Sequence, residues 1–164
     1  MSRHPHIVNA NDLPWSENRH GERFAAQGKR LGLKAGGVRL GGSLYRVAPG
    51  KTAFPHHRHY LNEEAIYVLS GTGTLRLDDA EHAVGPGDYI ALPAGGPAHQ
   101  LIATGERDLE YLCVSTMRGG EVVEYPDSRK LGAIVSGAGS NDPAQRRVFE
   151  FYRRDSAVPY YEGE

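Results

Sequence analysis

No apolar run in this chain goes far before a glycine or a proline interrupts it. The 21 Gly and 10 Pro are spread along the whole length and separate short stretches of Val, Leu, Ile, Tyr and Thr. Glycine supplies the positive φ angles of tight turns, and proline presets their first corner. Candidate strands fall at 43–47, 56–59, 65–69, 72–77, 81–84, 89–92, 99–103 and 109–115. Between them lie turn signals such as Ala48-Pro49-Gly50, Ser70-Gly71, Asp78-Asp79, Gly85-Pro86-Gly87-Asp88 and Pro93-Ala94-Gly95-Gly96-Pro97. Short strands at regular spacing predict an all-β sandwich or barrel. In 72–77, Leu75 and Leu77 alternate with Thr74 and Arg76, as a strand with one buried face requires.

The flanks carry weaker patterns. Residues 22–31 predict a short helix, opposed by Gly21, Gly28 and Gly32. Residues 36–44 are too glycine-rich for a helix and suit one or two strands, and 122–125 suits an edge strand. Residues 136–143 read as a mobile loop, and 149–161 are aromatic enough to pack on the domain or on a neighbouring subunit. The expected organisation is an N-terminal extension over 1–35, a barrel over 36–126 and a C-terminal extension over 127–164. No internal repeat is visible, and 164 residues suit one domain.

Charge is balanced, with 19 basic and 20 acidic residues, so nothing draws the chain toward nucleic acid or an anionic membrane. Neither a signal-peptide run nor a membrane-length apolar stretch is present in the sequence. Cys113 is the single cysteine, which rules out an intramolecular disulfide and a thiolate-rich zinc site. The expectation is a cytoplasmic protein in which Cys113 is a packed strand residue.

The residues that carry chemistry lie in the stretch from Gly50 to Glu64. Side chains two apart on a strand share a face, so His57 and His59 project together while His56 and Arg58 point the other way. Two imidazoles on one face form a bidentate chelate. Glu64 opens the next strand, and its parity with Ile66 and Val68 turns its carboxylate inward. A barrel brings His99 to the same point. Three imidazoles and one carboxylate suit Fe, Mn, Ni, Cu or Zn, and suit Ca²⁺ or Mg²⁺ poorly. His56 competes for a ligand position if a bulge follows Pro55, and Glu63 competes with Glu64. His4, His6, His20 and His82 read as structural or exposed. Gln100 is a candidate to orient the neighbouring imidazole, the plainer reading being a solvent-facing side chain. Tyr45 and Tyr111 are candidates to line a pocket, although strand aromatics also suit a core. Tyr67 points outward by parity. Arg39, Arg46 and Arg76 are the arginines considered for an anionic substrate, and Arg76 is expected in solvent.

On these residues the chain resembles the cupin superfamily. The first cupin motif is matched by Gly50, His57-Arg58-His59, Glu64 and Gly71, and the second by Gly87, Pro93-Ala94-Gly95 and His99. The second match departs in two ways. Three residues rather than two separate Gly95 from His99, and Ala103 replaces the Asn often found four after the His. Less diagnostic similarity to small bacterial single-cupin proteins of unassigned activity extends on both sides of the motifs.

The resemblance implies an all-β, cupin-type double-stranded β-helix, a jelly-roll barrel with irregular N- and C-terminal extensions. It implies one divalent transition metal, Fe, Mn, Ni or Zn, held by His57, His59, Glu64 and His99. No catalytic residue beyond the metal set is assigned. The expected function is a metal-dependent small-molecule enzyme, an oxygenase whose substrate chelates the metal. One alternative is a sugar or sugar-phosphate isomerase or epimerase, which needs inward Arg or Lys if a phosphate is bound. The other is a non-catalytic ligand-binding or sensing module. Expected partners are a small-molecule ligand and a second copy of the chain, with no nucleic acid and no membrane.

Overall fold

The computed structural model describes residues 3–136 and 142–164, so residues 137–141 of the expected mobile loop lie outside the described residues. In chain order the strands begin with β1 (Ser16–His20) and β2 (Phe24–Arg30), then a one-turn helix α1 (Leu31–Lys34). There follow β3 (Leu40–Val47), β4 (Arg58–His59), β5 (Glu64–Ser70), β6 (Gly73–Leu77), β7 (Ala80–Val84) and β8 (Tyr89–Leu92). The chain continues through β9 (His99–Ala103), β10 (Leu109–Thr116), β11 (Gly120–Tyr125), β12 (Lys130–Ser136) and β13 (Arg146–Arg153). The pairings between these strands are antiparallel, and they assemble three sheets in the orders β1-β2-β3-β10-β5-β8, β13-β12-β11-β4 and β7-β6-β9. The fold is an all-β jelly-roll barrel.

Alternation along the strands builds the core. In β5, Ile66 and Val68 are buried while Tyr67 and Leu69 face out. Strand β10 pairs with β3 on one side and β5 on the other, and it sends Leu109 and Tyr111 inward. Val47, Val68 and Leu109 are fully buried at the centre. Each such side chain contributes about 1.5–3 kcal/mol. Gly71 ends β5 at φ +75°, and a Cβ there would run into the Asp108 carbonyl. The turn that joins β5 to β6 therefore needs a residue without a side chain.

Local preference loses to long-range pairing in the flanks. The segment expected as a helix over 22–31 is mostly β2, paired with β1 and with Gln27 to Arg30 opposite Arg46 to Ser43 of β3. Gly28 fits there because the Tyr45 ring packs where its Cβ would stand. A glycine-punctured helix offers less than that pairing. Likewise 122–125 is not an edge: β11 lies between β12 and β4. Both extensions thus carry paired strands where irregular chain was expected. The expected strand over 56–59 forms regular pairing only at Arg58–His59, while His57 makes an isolated bridge to His99. Among the described residues, no helix is long and apolar enough to cross a membrane.

Candidate metal centre

Three strands and one bridged segment deliver the expected donors to one point. His57 is held by its bridge to His99, with the His57 N–H donating to the His99 carbonyl at 3.1 Å and the His99 N–H to the His57 carbonyl at 2.7 Å. His59 is on β4 opposite Val123 of β11. Glu64 opens β5 between Leu92 of β8 and Ser115 of β10. The turn before His99 is pinned to the same place, because the Gly95 N–H donates to the His59 carbonyl at 2.7 Å. That hydrogen bond and the φ of +71° at Gly95 set the shape of a turn that carries one residue more than the motif.

One ligand atom from each of His57, His59, Glu64 and His99 lies within 4.8 Å of the others. Ligands on opposite sides of a transition-metal ion, with bonds of about 2.0–2.2 Å, stand about 4.2 Å apart. The quartet is therefore a small inward adjustment from a common centre. Glu64 Oε2 is 3.3 Å from His59 Nε2 and 3.5 Å from His99 Nε2. Glu64 Oε1 turns the other way, toward the Cys113 thiol at 3.9 Å. The His57 Nδ1–H donates to the Pro55 carbonyl at 2.8 Å, which leaves Nε2 as its free donor. Among the described residues, His99 Nδ1 is buried with no hydrogen-bond partner. A tight set of three imidazoles and one carboxylate fits a divalent transition metal.

The electrostatics point the same way. Burial, then the charges of His99 and His59, pull the His57 imidazole down to about 3. Burial would also lower His59, but the carboxylates of Glu121 and Glu64 outweigh it and push His59 up to about 9. Burial would raise Glu64, yet contacts from His59 and His99 hold its carboxyl well below the ordinary range. Without an ion, the site is a carboxylate clasped by an imidazolium. A metal cation would take the place of that proton.

Glu121 on β11 is a site residue that the motifs did not reveal. Its Oε2 lies 3.3 Å from His59 Nδ1, the face of the ring turned away from Glu64. Its two oxygens also accept the backbone N–H groups of Tyr60, Leu61 and Asn62 at 3.2, 3.0 and 2.9 Å. A carboxylate behind a ligating imidazole fixes the ring and raises its basicity. No spacing rule links Glu121 to the motifs, since only the β4–β11 pairing brings it near.

The other candidates divide cleanly. His56 faces away as parity requires, buried with Nδ1 3.3 Å from Asp127. Glu63 is exposed. Gln100 is not in solvent: it is buried, donates to the Phe54 carbonyl at 2.8 Å and accepts from Arg23 at 2.8 Å. It therefore braces the stretch leading to His57. Tyr45 and Tyr111 line the cavity beside the quartet, with ring centroids 5.4 Å apart. Burial pushes the Tyr45 hydroxyl up to about 12 and raises Tyr111 as well, so both remain O–H donors. Cys113 lines the same cavity, and burial raises its thiol. Arg46 is taken up by Glu110 at 2.6 Å and the Trp15 ring, and Arg76, on the solvent side as expected, pairs there with Asp127 at 2.8 Å.

The quartet forms the floor of a cavity of about 430 Å³. Its lining also includes Phe149 and Phe151 of β13 and Ile134 of β12.

Residues 43–115 match the family profile described as a cupin domain. Residues 43–115 thus form a cupin domain. An uncharacterized protein of Methanocaldococcus jannaschii is 39% identical over 59 residues, which are 36% of this chain and 46% of that protein. This chain thus matches about half the length of that curated relative. Among solved structures, a protein provisionally named sugar phosphate isomerase from Acidithiobacillus ferrooxidans superposes with a TM-score of 0.79 at 24% identity, covering 96% of this chain and 98% of that one. A cupin named sugar phosphate isomerase from Silicibacter pomeroyi gives 0.76 at 24% identity, covering 94% and 97%. A predicted oxalate decarboxylase from Thermotoga maritima gives 0.59 at 21% identity, over 68% and 98%. These likenesses establish the fold. The first two extend through both extensions of this cupin, and the third covers much less of it.

Proposed function

We propose that this cupin is a metal-dependent enzyme of the isomerase type, acting on a small polyhydroxy substrate that chelates the ion through adjacent oxygens. The observation that carries this reading is the open face of the quartet. Three imidazoles and Glu64 line the floor of a cavity large enough for a small molecule, so an ion held there keeps positions for substrate. When bound, the metal would polarise a carbonyl or hydroxyl oxygen. Tyr45 and Tyr111 hold their protons beside that point and can donate to a developing oxyanion. Glu64 and Glu121 are the acids lining the cavity, and Glu121 is already engaged by His59 and backbone N–H groups. Basic side chains in the cavity lining and the names of the two full-length structural neighbours also support the isomerase reading.

The donor set itself favours a second reading, an oxygenase, since three His with one carboxylate suit Fe(II). The two readings separate in one assay series. Protein reconstituted singly with Fe, Mn, Ni or Zn is supplied with aldose and ketose phosphates and followed by NMR under argon and under air. The isomerase reading expects interconversion under argon that is lost on chelation and in Glu64→Gln. Consumption of oxygen with no anaerobic turnover supports the oxygenase. No turnover with any metal across the panel overturns the isomerase.

A further inference from the structure

The cavity holds two positive charges that the donor quartet does not use. Arg30 ends β2, and Arg146 opens β13. One precedes the matched cupin segment and the other follows it, yet both line the cavity floored by His57, His59, Glu64 and His99. Several other arginines are taken up by acids. Arg46 meets Glu110 at 2.6 Å, Arg76 meets Asp127 at 2.8 Å and Arg154 meets Glu124 at 2.6 Å. Neither Arg30 nor Arg146 has an ion pair or side-chain hydrogen bond among the described residues.

Their placement is built into the fold. Arg30 pairs through its backbone with Ser43 of β3, itself a cavity residue. The register of β12 on β13 shifts between Val135 and Ser136, and this sets Arg146 opposite Ser136, with both facing the cavity. The Phe149 ring holds the Arg146 guanidinium at 4.3 Å. Burial, and then the Arg30 charge, draw Arg146 below the ordinary guanidinium value. Two unpaired guanidiniums in one wall repel, and an oxyanion bridging them removes that repulsion while accepting their forked donors.

We propose that Arg30 and Arg146 form a clamp for an oxyanion group on a substrate whose other oxygens reach the metal donors. The proposal rests on the enzymatic reading above and adds to it a second anchoring point and a charge. The donor quartet would then select for vicinal oxygens and the clamp for a phosphate or carboxylate.

The test is titration of the metal-loaded protein, and of the same protein after EDTA treatment, with inorganic phosphate and separately with malonate, followed by calorimetry. Saturable binding is expected in both forms. Arg30→Gln and Arg146→Gln should each weaken it roughly tenfold, the loss of one charge-assisted contact, while Arg107→Gln on a distant loop leaves it unchanged. Arg30→Lys and Arg146→Lys provide the readout if a Gln variant fails to fold. Tighter binding of phosphate assigns a phosphate ester, and tighter binding of malonate assigns a carboxylate. Unchanged affinity in both Arg variants, or binding that vanishes with the metal alone, overturns the clamp. Metal content and turnover in the same samples keep the two proposals apart. Arg-dependent phosphate binding without any turnover sinks the isomerase and spares the clamp. Turnover with Arg-independent phosphate affinity does the reverse.

Discussion

The floor and the rim of the cavity are made by different parts of the chain. The floor comes from within residues 43–115, where His57, His59, Glu64 and His99 are set by strand parity and two turns. The rim comes from outside that span, from Arg30 on β2 and Arg146, Phe149 and Phe151 on β13. The floor donors sit on paired strands or, for His57, on a backbone bridge. The rim depends on how the flanking strands add to the sheet edges. On the proposed reading, metal binding falls mainly to one stretch and anion binding to the flanks, with Glu121 reaching across, and substitutions should sort accordingly.

The largest effect is expected on the floor. Glu64→Gln removes the charged donor and should weaken metal affinity by about 100-fold or more. Atomic absorption after gel filtration would show this, and phosphate titration should stay unchanged. A change in both would mean that floor and rim are not independent. Next comes Glu121→Gln, which keeps all four ligands but loosens His59, and about 10–100-fold weaker metal binding is expected. Competition with a chelator of known affinity measures it. At the rim, Phe149→Ala withdraws the ring under Arg146 and should weaken phosphate binding about 2–5-fold with metal content intact.

The smallest effect is a shape in the pH dependence of stability. Between pH 3 and 6.5 the unfolded chain binds a proton that native His57 refuses, so stability rises with pH. Between 6.5 and 9 native His59 keeps a proton that the unfolded chain loses, so stability falls as pH rises. Glu64, held below its ordinary range, steepens the loss on the acid side. Metal-free protein should therefore melt highest near pH 6.5, dropping by a few degrees on either side. Metal loading should abolish the alkaline limb, because the ion displaces the proton from His59. Calorimetric scans of both forms would decide this.

The floor was legible because its rules are short-range. A period of two puts His57 and His59 on one face and His56 on the other, and the same parity turns Glu64 inward with Ile66 and Val68. The buried and exposed residues of β5 and β6 follow the same rule. What escaped was whatever depends on a partner strand. Residues 24–30 resemble a weak helix until β1 and β3 are beside them. Val122 and Val123 resemble an edge until β12 covers one side. Gln100 alternates as an outward residue, but Phe54 and Arg23 close over it. Arg30, Glu121 and Arg146 belong to no motif, and their roles exist only through pairings between residues far apart in sequence.

One carboxylate has a consequence beyond holding a ring. Glu121 grips three successive amides of the connection between β4 and β5 as well as His59. That connection joins two of the metal-donor strands, so the chelate and the link between them form one mechanical unit. Peeling residues 60–62 away from β11 would also release the imidazole. Susceptibility of that link to a protease would then serve as a gauge of how much ion the protein carries.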